Sequence, residues 1–263
     1  MQVDTPAPPR RPLWRLFILP AVLVIAAAAW SAFWFYAASE VGVRADAWRA
    51  QEAKSGRNYD CARRSVAGFP FRFEVSCEGA SVALVSQTAT NVPFTAKLGE
   101  ILVVAQIYDP KLVIAEFKSP ALLEIPEQAP LRVDWSKGRA SVVGLPAVPQ
   151  RGSIVFDDAA IERTNASSIQ VPVARARHIE LHGRLADGSP ANNPVIEAVL
   201  QVNDGSVQGV HPVMAEPFNA DVRTKLTGLK DFAPKPWPER FREIASAGGK
   251  VEIVQSRIQQ GEM

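Results

Sequence analysis

Residues 71–77 read Phe71-Arg72-Phe73-Glu74-Val75-Ser76-Cys77, with apolar and polar side chains alternating at every step. A period of two belongs to a strand with one face packed and one face wet. The pattern recurs in Leu131-Arg132-Val133-Asp134-Trp135, and Ile196, Ala198, Leu200 and Val202 would share one face of a third strand. Short apolar or β-branched runs extend it near 81–86, 100–107, 111–117, 139–145, 152–156, 170–174, 177–185, 206–210, 219–226 and 250–258. Asp109-Pro110, Ser119-Pro120, Lys137-Gly138, Asp187-Gly188 and Asp204-Gly205 read as turns between them. Short strands at a spacing of about 8–12 residues predict a mainly β fold, an extended or curved antiparallel sheet. No repeat points to a propeller or solenoid.

Two segments break the period. Residues 40–56, EVGVRADAWRAQEAKSG, suit a helix stopped by Gly56, either separate or a continuation of what precedes it. Residues 231–249, DFAPKPWPERFREIASAGG, begin with prolines that enforce an extended chain. Pro238 suits the first turn of a short helix reaching Ala247, with Phe241, Ile244 and Ala245 on one side and Gly248-Gly249 ending it.

Ahead of the β region lies LFILPAVLVIAAAAWSAFWFYAAS, Leu16 to Ser39, with no charged residue. A hydrocarbon core needs about 20 helical residues, so this run is long enough to span it. Arg10, Arg11 and Arg15 precede it with only Asp4 against them, which places the N-terminus on the cytoplasmic side. Trp14 at one end and Trp34 with Tyr36 at the other are placed as interfacial aromatics. The alternatives are a cleaved signal peptide, with Leu16–Ala26 as its apolar part and Ala27-Ala28-Ala29 at the cleavage site, or a twin-arginine signal at Arg10-Arg11. Against cleavage, the apolar run continues through Trp30, Phe33, Trp34, Phe35 and Tyr36. The expected organisation is a cytoplasmic tail at 1–15, a transmembrane helix at 16–39, a membrane-proximal helix or linker at 40–56, and an exported β-rich domain at 57–263.

The chain carries 29 Lys and Arg against 27 Asp and Glu; residues 1–39 hold three Arg and one Asp, so the exported part is balanced. A neutral domain lacks the basic stripe that nucleic-acid binding requires. Cys61 and Cys77 stand 16 positions apart. Outside the cytoplasm such a pair reads as a disulfide, the alternative being two reduced buried thiols.

The segment Gly68-Phe69-Pro70-Phe71-Arg72-Phe73 joins the N-terminal apolar run, Trp48, the flanking Cys61 and Cys77, and the Pro/Trp stretch before Gly248-Gly249. Together these resemble the bacterial family called domain of unknown function 2125, over about residues 14–255. The resemblance implies an envelope protein anchored in the inner membrane, its bulk periplasmic, with no catalytic residue to carry over. It also implies further strands beyond the last one here. AsmA-like envelope proteins, linked to lipid traffic, offer a looser architectural likeness.

His178-Ile179-Glu180-Leu181-His182 is the one pattern that suggests a site: on a strand His178, Glu180 and His182 share a face that could bind a divalent metal. A solvated polar face followed by Arg184 explains the same residues. The spacing is not that of HExxH, and neither a phosphate loop nor a nucleophile elbow is present. Asp157-Asp158 and Glu162/Arg163 read as a turn and surface charges, and Asn165-Ala166-Ser167 as an exposed loop bearing a glycosylation sequon. The sequence therefore predicts no enzyme and no cofactor. Three functions stay open: a β-sheet groove that binds or transfers lipid or another apolar ligand, a structural or adaptor domain for another envelope protein, and a hydrolase or metal enzyme without a motif. For the groove, Phe69, Phe71, Phe73, Leu112, Ile114, Val133 and Trp135 are the candidate wall, with a core-forming strand as the competing role of Phe69–Phe73.

Overall fold

A computed structural model describes residues 14–85, 93–145, 148–164, 169–233 and 235–261. Arg10-Arg11 and the sequon at Asn165 lie outside them. The chain opens with α1, Trp14–Lys54, one helix of 41 residues. The uncharged run and the membrane-proximal segment are thus one element, long and apolar enough to cross a membrane. Gly56, at φ 77° and donating its N–H to Ala53 O, turns the chain out of it.

The strands that follow are β1 (Arg57–Ala67), β2 (Arg72–Leu84), β3 (Phe94–Gln106), β4 (Asp109–Glu124), β5 (Leu131–Asp134), β6 (Lys137–Val143), β7 (Arg151–Thr164), β8 (Gln170–Ser189), β9 (Asn192–Val207), β10 (Phe218–Leu226) and β11 (Val251–Gln260). All belong to one antiparallel sheet in chain order, with β5 and β6 lying end to end between β4 and β7. The short helix α2 (Pro212–Ala215) precedes β10, and α3 (Trp237–Ser246) precedes β11. The expected mainly β sheet with one long N-terminal helix and short later helices is what the chain forms.

Most strands are longer than the sequence runs suggest, because several presumed turns lie inside them. Ser119-Pro120 sits within β4 and Asp204-Gly205 within β9, while Lys137-Gly138 begins β6. These residues lie along a transverse crease. Gly79, Asp158 and Asp204 adopt φ values of 62°, 52° and 51°. At the crease the inward position recurs after three residues instead of two. Cys77 is followed by Ala80, Phe156 by Ala159 and Val202 by Gly205, each at its matching cross-strand register. β4 absorbs the step with an extra residue, its register shifting between Leu98 and Glu100 of β3. Strict alternation would flip each long strand halfway along; the crease keeps one face apolar along its whole length.

The sheet also curls. After β10 the chain runs past the β8–β9 turn, where Asn193 N donates to Lys230 O and Phe232 N to Pro190 O. It then reaches the first strand, where Arg57 Nη1 donates to Lys235 O. One short segment thus bridges the first strand and the β8–β9 turn. On the helix behind this bridge, Phe241 of the expected Phe241, Ile244 and Ala245 side is 63% exposed, whereas Glu243 is buried. Glu243 accepts from Lys230 N, Lys235 Nζ and Arg240 Nη1, and these ionic contacts fasten α3.

Candidate apolar groove

The registers assign each side chain to a face. Phe73, Val75 and Cys77 of β2 align with Ala105, Val103 and Ile101 of β3, then with Val113, Ala115 and Phe117 of β4. The row continues through Ala140 of β6, Ile154 and Phe156 of β7, Ile179 and Leu181 of β8, Leu200 and Val202 of β9 and Val222 of β10. Beyond the crease the same face carries Ala80, Val82, Leu98, Ala121, Val133 and Ile161. These residues form one apolar surface across the sheet. It is incompletely covered: among the described residues only Trp34, Ala80, Ala121, Trp135, Ala159, Ala176 and Leu229 are buried hydrophobics, and Leu181 and Leu200 remain 43% and 37% exposed.

The helix α1 covers one corner. Trp34 stacks on Phe73 at 5.6 Å, meets Phe69 edge-on at 5.6 Å, and donates its indole N–H to Arg72 O at 3.1 Å. Farther along, Trp48 lies on Tyr59 at 4.8 Å. Arg49 donates to Tyr59 O, and Arg64 pairs with Asp46, so the helix is clamped to β1 at its rim. Between them a cavity of about 330 Å³ remains, lined by Ala45, Trp48, Val82, Leu98, Ile101 and Val103, with the Cys61–Cys77 disulfide in its wall. That volume falls within the roughly 300–1,000 Å³ of small-ligand sites.

Trp135 marks the crease at mid-sheet. Its indole meets Phe156 at 5.1 Å and donates to Phe117 O at 2.9 Å. It occupies the space above Gly138, where a Cβ would approach Trp135 Nε1 to 2.6 Å. This close approach, rather than a turn, is what the Lys137-Gly138 pair provides.

The structure divides the predicted wall. Phe73 and Val133 lie on the apolar face and Trp135 is buried within it. Phe69 and Phe71 sit in the β1–β2 turn, 50% and 63% exposed, and Phe69 packs against Trp34 and Phe35 of α1. Leu112 and Ile114 belong to the opposite face: they pair with Val143 and Ser141, and Leu112 shares a depression with Ser153 and His182. The segment Leu112-Val113-Ile114-Ala115 is apolar on both sides, so its pattern left the register open by one residue. Trp34, placed by the sequence at one end of the apolar run, is 3% exposed and packs against β2.

His178, Glu180 and His182 do share a face, the polar one. Glu180 accepts from both imidazoles, at 2.7 and 2.8 Å, and His178 Nδ1 lies 2.6 Å from Asp157 Oδ1. Asp157 and then Glu180 raise the His178 pKa, and the two histidines lower that of Glu180. The groups form a ladder of hydrogen bonds; among the described residues no set of three is placed to hold a metal ion. Ala174 and Ala176, aligned with the histidines by simple alternation, cross to the apolar side at the crease.

A bacterial family described as an uncharacterized protein conserved in bacteria, domain of unknown function 2125, matches residues 34–263. The chain belongs to this family. The family match begins at Trp34, the residue that seats α1 on β2. No curated protein and no solved structure matches the chain. The likeness to AsmA-like proteins thus has no counterpart among these comparisons.

Proposed function

We propose that this family member is a single-pass inner-membrane protein, its N-terminus cytoplasmic and its β domain periplasmic, and that the apolar sheet face binds or transfers lipid or another apolar ligand. The observation that carries the reading is the extent of that face: it runs from β2 to β10 and is left partly exposed by the elements that cross it. An apolar surface of this extent in a water-facing domain calls for an occupant. The open-sided apolar cavity beneath Ala45 and Trp48 supplies room for the end of an acyl chain. The role is one of carriage rather than catalysis.

The test uses residues 34–263, purified and screened by mass spectrometry for extractable lipid, then titrated with a fluorescent fatty acid. Lipid should co-purify, and the probe should be displaced by unlabelled acyl chains. Ala96→Trp, which fills the cavity from β3, should abolish probe binding with the circular dichroism unchanged. A folded domain with neither lipid nor a probe site would overturn the reading. One feature favours an adaptor role instead: among the described residues no strand pairs with the outer edge of β11, and Val251, Ile253 and Ile258 are 65–67% exposed. Proximity labelling from β11 that recovers one envelope protein, together with no lipid, would select it.

A further inference from the structure

The β1–β2 turn is fastened to the part of α1 that closes the apolar run. Trp30 Nε1 donates to Pro70 O at 3.0 Å, Trp34 Nε1 donates to Arg72 O at 3.1 Å, and Phe35 stacks on Phe69 at 5.9 Å. The turn is therefore held level with helix residues 30–35. From Leu16 a hydrocarbon core of roughly 30 Å is crossed by about 20 residues, at ~1.5 Å each, and so ends near residue 36. The tip of the turn lies at or inside that boundary.

What the tip presents fits that depth. Phe69 and Phe71 are 50% and 63% exposed, and Tyr108, on the adjoining β3–β4 turn, is 76% exposed. Ile107 N donates to Phe71 O, which locks the two turns side by side. Phe33, Phe35 and Tyr36 of α1, all more than half exposed, continue the patch. The first charges above it are Asp109 and Arg72, level with each other across β3, and Arg72 pairs with Glu74 at 2.6 Å. Aromatic side chains gathered at one level, with charge beginning just beyond, are the pattern of a membrane interface. The backbone is shaped for it too: Gly68 has φ 100°, and a Cβ there would come within 2.7 Å of Arg72 O.

We propose that Phe69, Phe71 and Tyr108 enter the near leaflet of the bilayer that α1 crosses, giving the β domain a second, non-covalent seat on the lipid. This inference rests on α1 spanning a membrane and not on what the apolar groove carries. Because α1 is unbroken from the span to Lys54, the two attachments fix the tilt of the sheet and set the Phe73 end of the apolar face against the lipid.

The test is made on the full chain reconstituted in phosphatidylethanolamine and phosphatidylglycerol vesicles. Nitroxides are placed singly at Phe71→Cys, Tyr108→Cys and, as the water-facing reference at the opposite end of the strands, Val210→Cys. The native cysteines are engaged in their disulfide and take no label. All three positions are exposed, so each variant keeps the packed interior. Labels at 71 and 108 should collide with oxygen several-fold more often than the label at 210, and with a water-soluble nickel chelate several-fold less often. If both labels meet the chelate as freely as the label at 210, the turn lies in water and the proposal is wrong. Loss of lipid binding by the groove would leave this outcome unchanged, which separates the two readings.

Discussion

Gly138→Ala tests the packing at the crease. The added methyl would lie 2.6 Å from Trp135 Nε1, 2.9 Å from Phe156 Cε1 and 3.0 Å from Trp135 Cδ1. The indole cannot retreat freely, because it is 8% exposed and bonded to Phe117 O. Overpacking of this kind costs about 1–3 kcal/mol. If the indole N–H is pushed off its carbonyl and stays buried, roughly 1–3 kcal/mol more is lost. Gly183→Ala is the reference: a Cβ at position 183 meets nothing within 4 Å, and exchanging a strand glycine for alanine should stabilise by about 0.5–1 kcal/mol. Urea unfolding of the full chain in detergent, followed by tryptophan fluorescence, should separate the two variants by at least about 1.5 kcal/mol. In a Trp135→Ala background the methyl should be tolerated, with most of its cost gone. A Gly138→Ala protein as stable as Gly183→Ala, or one equally destabilised without the indole, would refute the packing argument.

Cys61 and Cys77 should resist alkylation until reduced, and Cys77→Ser should lower stability by about 3 kcal/mol in urea, the chain-entropy value for a loop of roughly 15 residues. Glu243 is held down to about 2 by Lys235, the Lys230 N–H and Arg240. Its contribution is present above the ordinary carboxylate value near ~4.3 and is lost as pH falls toward that lower value, so Glu243→Gln should flatten the acid limb of the stability curve. His178 is shifted the other way; its contribution is complete below ~6.5 and fades as pH rises through the higher folded value, which imidazole NMR and a His178→Gln comparison would register. Mass spectrometry of the mature protein should find residues 1–30 retained, and a reporter fused after residue 60 should be active outside the cytoplasm.

The sequence was most legible where a single period ran unbroken. Residues 72–77 alternate within one strand, and the uncharged run from Leu16 is helical throughout. It was least legible where a local signal had two physical meanings. Asp204-Gly205 and Ser119-Pro120 have the composition of turns, yet cross-strand pairing on both sides carries the chain through them. The face of Leu112 and Ile114 is not legible from the sequence, because their neighbours Val113 and Ala115 are apolar as well. The cavity stayed hidden because its two sides, Trp48 and the Val82–Leu98 row, meet only when α1 folds back along β1. Trp48 belongs to the set of residues that carries the family resemblance, but its stacking on Tyr59 is a tertiary fact that no periodicity encodes.

The crease also bears on how such strands find their partners. β2, β3, β4, β7, β8 and β9 each run for 13 to 20 residues. In long strands with a uniform two-residue pattern, a slip of two positions returns apolar to apolar and is punished only at the ends. A left-handed residue at a fixed place in alternate strands removes that tolerance. Were β7 to slip by two against β8, Asp158 would no longer face Arg177, and its kink would press against regular backbone. The three-residue step would then throw half of one strand's apolar residues outward. The crease thus acts as a notch cut across the sheet, and only one sliding position lets all the notches align.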